Sequence, residues 1–136
     1  MEIGEIVESA REGEISLGLD DVIVTLSPGA DDSMLVSADL GEVPHGALVA
    51  VAREAMVANH LFEGTAGATI SVDPKTGHAF LQQYEWVWGR DPDGFMRRLL
   101  VFVGKVREWR SKVEGGGESP VEKPMEGLDH GFLIPV

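Results

Sequence analysis

The side chains able to do chemistry are few and scattered. Four histidines, His45, His60, His78 and His130, are the only imidazoles in the chain. A helix-borne zinc site needs two of them at i, i+4 on one face, usually with a glutamate between them. No two have that spacing, and each falls at the end of a predicted element or in a loop, where a surface histidine is the ordinary case. Asp20-Asp21 and Asp31-Asp32 offer paired carboxylates, but the 12-residue calcium loop with its closing glutamate is absent. Both pairs read as turn residues. There is no GxSxG elbow, Walker loop or GxGxxG segment to hold a nucleophile or a phosphate. Cysteine is missing, which excludes disulfides and thiolate metal sites. One weak constellation remains, a small-ligand or enzyme pocket near Tyr84, Trp86 and His78. The expectation is no enzyme activity, no cofactor and no metal.

With 136 residues, 43% of them hydrophobic, the chain is one ordinary domain able to bury a core. No apolar run reaches the roughly 20 residues of a membrane-spanning helix. The start, Met1-Glu2-Ile3-Gly4-Glu5, is acidic where a secretory signal would be basic and then apolar, so the expected location is cytoplasmic. The net charge is −12, unevenly spread. Residues 1–96 hold 4 basic and 17 acidic side chains, whereas residues 97–112 hold 6 basic ones and Glu108 alone. So acidic a body lacks the basic footprint that nucleic acids require.

The pattern predicts the order α-β-β-β-α-β-β-α, an α+β single domain with helices packed on a twisted antiparallel sheet. Residues 2–12 carry Ile3, Ile6, Val7 and Ala10 at helical spacing. Ile15, Leu17 and Leu19 alternate with Ser16, Gly18 and Asp20, Val22, Val24 and Leu26 alternate with Ile23, Thr25 and Ser27, and a third strand runs from Met34 to Leu40. A helix spans Ala47 to Ala58. Thr69–Asp73 and Ala79–Val87 form a hairpin across Pro74-Lys75-Thr76-Gly77. Phe80, Tyr84, Trp86 and Trp88 share one face of its second strand. Asp91-Pro92-Asp93 then opens a last helix that keeps Phe95, Leu99, Phe102, Val103, Val106 and Trp109 at core spacing.

The central helix is apolar nearly all round. Leu48, Val51, Ala52, Ala55 and Phe62 form one stripe, while Val49, Ala50, Met56 and Val57 lie on another face beside Arg53 and His60. A helix of that kind is normally covered on both sides, and one sheet covers only one. The expected cover is a second copy around a twofold axis, with Val49, Arg53, Met56, Val57 and His60 at the interface; the alternative is the chain's own terminal segment.

The stretch Ala55–Trp109 strings together a helix end at Ala58-Asn59, a Gly-punctuated turn, a hairpin closed by Gly77, a leucine-bearing strand and a helix ending on Trp109. In type and order this resembles the CesT/Tir-type chaperones of type III secretion. The resemblance implies a homodimeric cytosolic chaperone that keeps the N-terminal segment of a secretion effector extended and secretion-competent, with secretion-apparatus components as further partners and no ATP. It also implies an effector-binding patch around Ile3, Ile6, Val7, Leu17, Val22 and Val24. The same fold used as an adaptor outside secretion is the other reading. Residues 1–113 form the chaperone-like domain, and 114–127, rich in Gly and Glu, a flexible linker. Residues 128–136 make an apolar tail that either docks on an apolar surface or is an unstructured end.

Overall fold

The computed structural model describes residues 13–86 and 91–117 in full and residues 3–8 as backbone. Six strands form one antiparallel sheet: β1 (Ile3–Glu8), β2 (Ile15–Leu19), β3 (Val22–Pro28), β4 (Ser33–Glu42), β5 (Thr69–Val72) and β6 (His78–Trp86), in the order β1-β2-β3-β4-β6-β5. Two α-helices complete it, α1 (Leu48–Asn59) and α2 (Pro92–Glu114), and a short 3₁₀ turn, His60–Phe62, follows α1. The α+β class and the antiparallel sheet are as expected. The first element is not: residues 3–8 are a strand, not a helix. Ile3, Ile6 and Val7 are β-branched and Gly4 is a poor helix former, so the local preference favours extension once the edge of β2 is there to pair with. Ile6 lies opposite Leu17 and Val7 opposite Ser16, with an irregularity between Ile3 and Glu5, around Gly4.

Alternation along the strands sends one set of side chains to a single core. Leu17, Leu19, Val22, Val24, Val36, Leu40, Ile70 and Leu81 are buried there against Val51 and Ala55 of α1 and Leu99, Phe102, Val103, Val106 and Val113 of α2. At about 1.5–3 kcal/mol for each large apolar side chain removed from water, this layer supplies most of the favourable free energy of folding. Both helices cover the same side of the sheet. The aspartate pairs are turn residues, as expected: Asp20, Asp31 and Asp32 adopt the left-handed conformation that aspartate tolerates better than most residues.

The landmarks between Ala58 and Trp109 converge on one junction. Asn59 closes both of its amide groups on one backbone unit, its Oδ1 accepting from Ile70 N at 3.0 Å and its Nδ2 donating to Ile70 O at 3.2 Å. That pair ties the end of α1 to the edge strand β5. Gly64 then folds back so closely that a Cβ there would stand 2.8 Å from the Ala58 Cβ, and Trp109 Nε1 donates to its carbonyl at 3.3 Å. Buried Thr65 closes the turn by donating to Ala68 O. Each landmark therefore fixes a close approach between two elements. At the start of α2, Asp91 accepts from Gly94 N at 3.0 Å with Pro92 in the first turn, the predicted cap.

Candidate partner-binding surfaces

Three apolar or charged surfaces remain uncovered once the core is closed. The first is the outer side of α1. Val51, Ala55 and Ala58 face the core, leaving Val49 and Met56 71% and 72% exposed, with Val57 beside them. Val49, Arg53, Met56 and Val57 line a shallow apolar groove together with Leu48 and Ala52. Exposed His60 follows at the helix end. The five residues expected at a dimer interface thus all lie on the surface, and four of them share one groove. Three members of the expected core stripe do not reach the core, Ala52 because it lines this outer groove. Leu48 is exposed in the first turn, and Phe62 is turned out because the helix stops at His60 and both Leu61 and Phe62 take left-handed backbone angles. They enlarge the outer apolar face.

The second surface is the side of the sheet that carries no helix. Tyr84 and Trp86 are 67% and 53% exposed there, in line with half-buried Phe80 as predicted; Trp88 lies outside the described residues. Ile23 on β3 is also open to solvent. By contrast, Leu17, Val22 and Val24, expected in an effector patch, point the other way and are buried to between 0 and 7%. They build the core and are not available as a surface patch. Strand alternation placed them on one face correctly; nothing in it says which face the helices will cover. The side chains of Ile3, Ile6 and Val7 lie outside the described residues, although the register sets Ile6 and Val7 on opposite faces of β1. The linker beyond Gly117 and the apolar tail 128–136 are likewise outside them.

The third is a cleft of about 400 Å³ where the end of β6 meets the start of α2, walled by Gln83, Tyr84, Glu85, Arg97, Arg98 and the Ala66-Gly67 turn. Buried Glu85 accepts from Arg98 Nε at 2.8 Å through Oε1 and from Gln83 Nε2 at 3.0 Å through Oε2. The pocket expected near Tyr84 is therefore present, but Trp86 and His78 do not line it. His78 stands at the opposite end of β6, where its Nδ1 contacts the Asp39 carboxylate at 2.9 Å. That hydrogen bond raises the imidazole pKa above its ordinary value. The cleft holds no nucleophile paired with a base. Among the described residues no group of three or more metal-ligating side chains comes together, and no helix is long and apolar enough to cross a membrane.

No curated protein matches the chain in sequence. Solved structures match its fold. A chain of the HopA1–SchA chaperone–effector complex superposes with a TM-score of 0.60 at 20% identity, over 78% of this chain and 80% of that one. The heterodimeric ExoU–SpcU complex of the Pseudomonas aeruginosa type III secretion system gives 0.60 at 19% identity, over 80% and 86%. The Yersinia pestis type III secretion chaperone SycH, in complex with a fragment of YscM2, gives 0.55 at 17%, over 76% and 85%. Identities this low speak to the fold alone. The sequence speaks separately: residues 3–110 match the model of one family from β1 to near the end of α2, across every junction described above. The chain belongs to the Tir chaperone protein (CesT) family.

Proposed function

We propose that this protein is a cytoplasmic, homodimeric chaperone that binds the N-terminal segment of a type III secretion effector in extended form and keeps it competent for export. The observation that carries the reading is a domain whose core is closed yet which leaves large apolar side chains on the outside of α1 and on the bare side of the sheet. Exposed patches of this kind mark protein-binding surfaces. The function is to hold, so neither turnover nor a bound metal is part of it. The outer face of α1 is assigned to the second copy, centred on Val49, Met56 and Val57, with Arg53 and His60 beside them. The bare sheet face and the strand edges are assigned to the client, through strand addition with apolar side chains received on the sheet.

Co-expression with the N-terminal segment of a type III effector encoded beside this gene is the test. The chaperone is expected to copurify with that segment and to protect it from protease. A segment that stays unbound and is digested at its free rate overturns the reading. The cleft beside Tyr84 supports a second reading, a small-ligand protein on the same fold. A small molecule retained through purification, or a melting temperature that falls with EDTA, would favour it.

A further inference from the structure

We propose that the cleft between the end of β6 and the start of α2 is a carboxylate-binding site, occupied by an acidic side chain of an extended segment that a client lays along β6. The identity of the client rests on the chaperone reading; the chemistry of the site does not.

The chain as a whole is strongly acidic, yet this wall is cationic. Arg97 and Arg98 are successive residues of α2, and both line the cleft. Glu85 is the only carboxylate in its lining among the described residues. Both oxygens of Glu85 are already engaged, one by Arg98 Nε and the other by Gln83 Nε2. Arg97 is exposed and makes no ion pair among the described residues. Arg98 Nε is engaged by Glu85, and its Nη2 is enclosed by protein with no acceptor among the described residues. A guanidinium left this way gains from any small shift that gives it one. Gly94 also lines the cleft, and a Cβ there would stand 2.6 Å from Asp91 Oδ1 and 3.3 Å from Arg98 Nη1. The nearby Asp91 carboxylate accepts from the Gly94 amide through Oδ2 and keeps its negative charge.

The backbone beside the cleft is equally unfinished. Pairing of β5 with β6 ends at Thr69 opposite Gln82. From Gln83 to Trp86, β6 pairs among the described residues only with β4. An extended segment can therefore continue the line of β5 along this edge. Side chains of such a segment alternate between the sheet's two faces. One set meets Tyr84 and Trp86 on the bare face, and the other meets Arg97 and Arg98. Among the described residues Arg97 is the guanidinium of this wall that no carboxylate engages, so one positive side chain is left to be matched. A carboxylate matches it; a phosphate dianion would leave excess negative charge close to Glu85.

The test uses the full chain, ¹⁵N-labelled, with four probes followed through the arginine Nε–H and backbone amide signals. The probes are an acetylated Thr-Val-Asp-Val-Thr peptide, its Asn counterpart, acetate and inorganic phosphate. The Asp peptide is expected to shift the Arg97 and Arg98 Nε–H signals together with the amides of residues 83–86. The Asn peptide should bind roughly tenfold more weakly, the loss of a charge-assisted contact. Arg97→Gln, which removes no internal partner, should bring the Asp peptide down to the Asn level while leaving the melting temperature unchanged. Absence of shifts, equal binding of the two peptides, an indifferent Arg97→Gln variant, or saturation by acetate or phosphate at the concentration that saturates the peptide each overturns the proposal. A protein that captures its effector but ignores the Asp peptide loses this site and keeps the chaperone reading. One that binds the peptide but captures no effector does the reverse.

Discussion

The two helices sit on the same side of one sheet, yet they finish differently. α2 is a 23-residue helix with a capped start and an apolar stripe from Leu99 to Val113 sunk in the core, and its outer side mixes charges with exposed Leu100 and Val101. α1 has 12 residues, no side-chain cap and no acidic residue in its first turn. It buries one valine and two alanines, Val51, Ala55 and Ala58, and shows solvent a larger apolar set, Leu48, Val49, Met56 and Val57. An inverted arrangement of this kind costs monomer stability, because the larger apolar area stays wet. The contrast teaches that α2 serves the fold, while the outer face of α1 is left for the partner proposed above.

Truncating α2 is the strongest way to break that contrast. Phe102 is the largest fully buried side chain, so Phe102→Ala should destabilise the protein by about 3–5 kcal/mol in chemical denaturation. A cost no greater than that of an exposed α2 position, such as Val101→Ala, would show that α2 does not carry the core. The matching change on α1 is Met56→Glu or Val49→Glu. Neither residue is packed within the monomer, so monomer stability should move by less than about 0.5 kcal/mol. Self-association should weaken by about 1.5–3 kcal/mol per side chain, some tenfold or more in dissociation constant. Light scattering decides between outcomes: a native chain that is already a stable monomer removes the role assigned to α1.

The sequence was more legible for α2 than for α1, and for a physical reason. A stripe with one apolar face has a unique solution, so Asp91, Pro92 and the spacing from Leu99 to Trp109 located that helix and its buried side. An all-apolar helix has two faces of nearly equal claim. Leu48 and Phe62 were consequently assigned to the core, although a chain reversal at His60 turns the second of them out. The strand at residues 3–8 was hidden because Ile3, Ile6 and Val7 fit a helical spacing too; pairing with β2, a non-local interaction, decided the matter. Alternation likewise grouped Leu17, Val22 and Val24 but not their destination, and it gave no sign that Arg97 and Arg98 would meet the free end of β6. The chaperone landmarks were legible because each imposes a close approach. Asn59, Gly64 and Trp109 serve the junction they form whatever partner is bound.

That junction sharpens the comparison, because α1 and α2 are fastened to the sheet by different chemistry. Asn59→Ala removes a neutral, two-bond clamp on Ile70 and leaves both backbone groups of a partly buried strand to find water. The expected loss is about 1–3 kcal/mol, independent of pH and salt. Hydrogen exchange should show β5 opening more readily than β3. Unchanged protection at Ile70 would mean that the helix end is held by packing alone.

The smallest expected effect is on the opposite side of the molecule, where α2 is fastened by charge. Arg107 donates to Asp21 Oδ1 at 2.9 Å, and Arg110 donates to the Asp21 carbonyl at 3.2 Å, pinning the β2–β3 turn to the helix. The hydrogen bond from Arg107 is the main reason the Asp21 pKa is lowered below the ordinary carboxylate value, with the Arg107 and Arg110 charges adding to it. A depressed folded-state pKa means stability that is present above the unfolded value, about 3.9, and lost as pH falls through the folded one. Asp21→Asn should therefore be slightly less stable than the native protein at pH 7, with the gap closing below about pH 4. Because the pair is solvent-exposed, the same gap should shrink as salt rises from about 0.1 to 1 M and the screening length falls from about 10 to 3 Å. Asn59→Ala measured in parallel should respond to neither change. If the two variants lose stability with the same pH and salt profile, the distinction between a neutral tether on α1 and an ionic one on α2 is wrong.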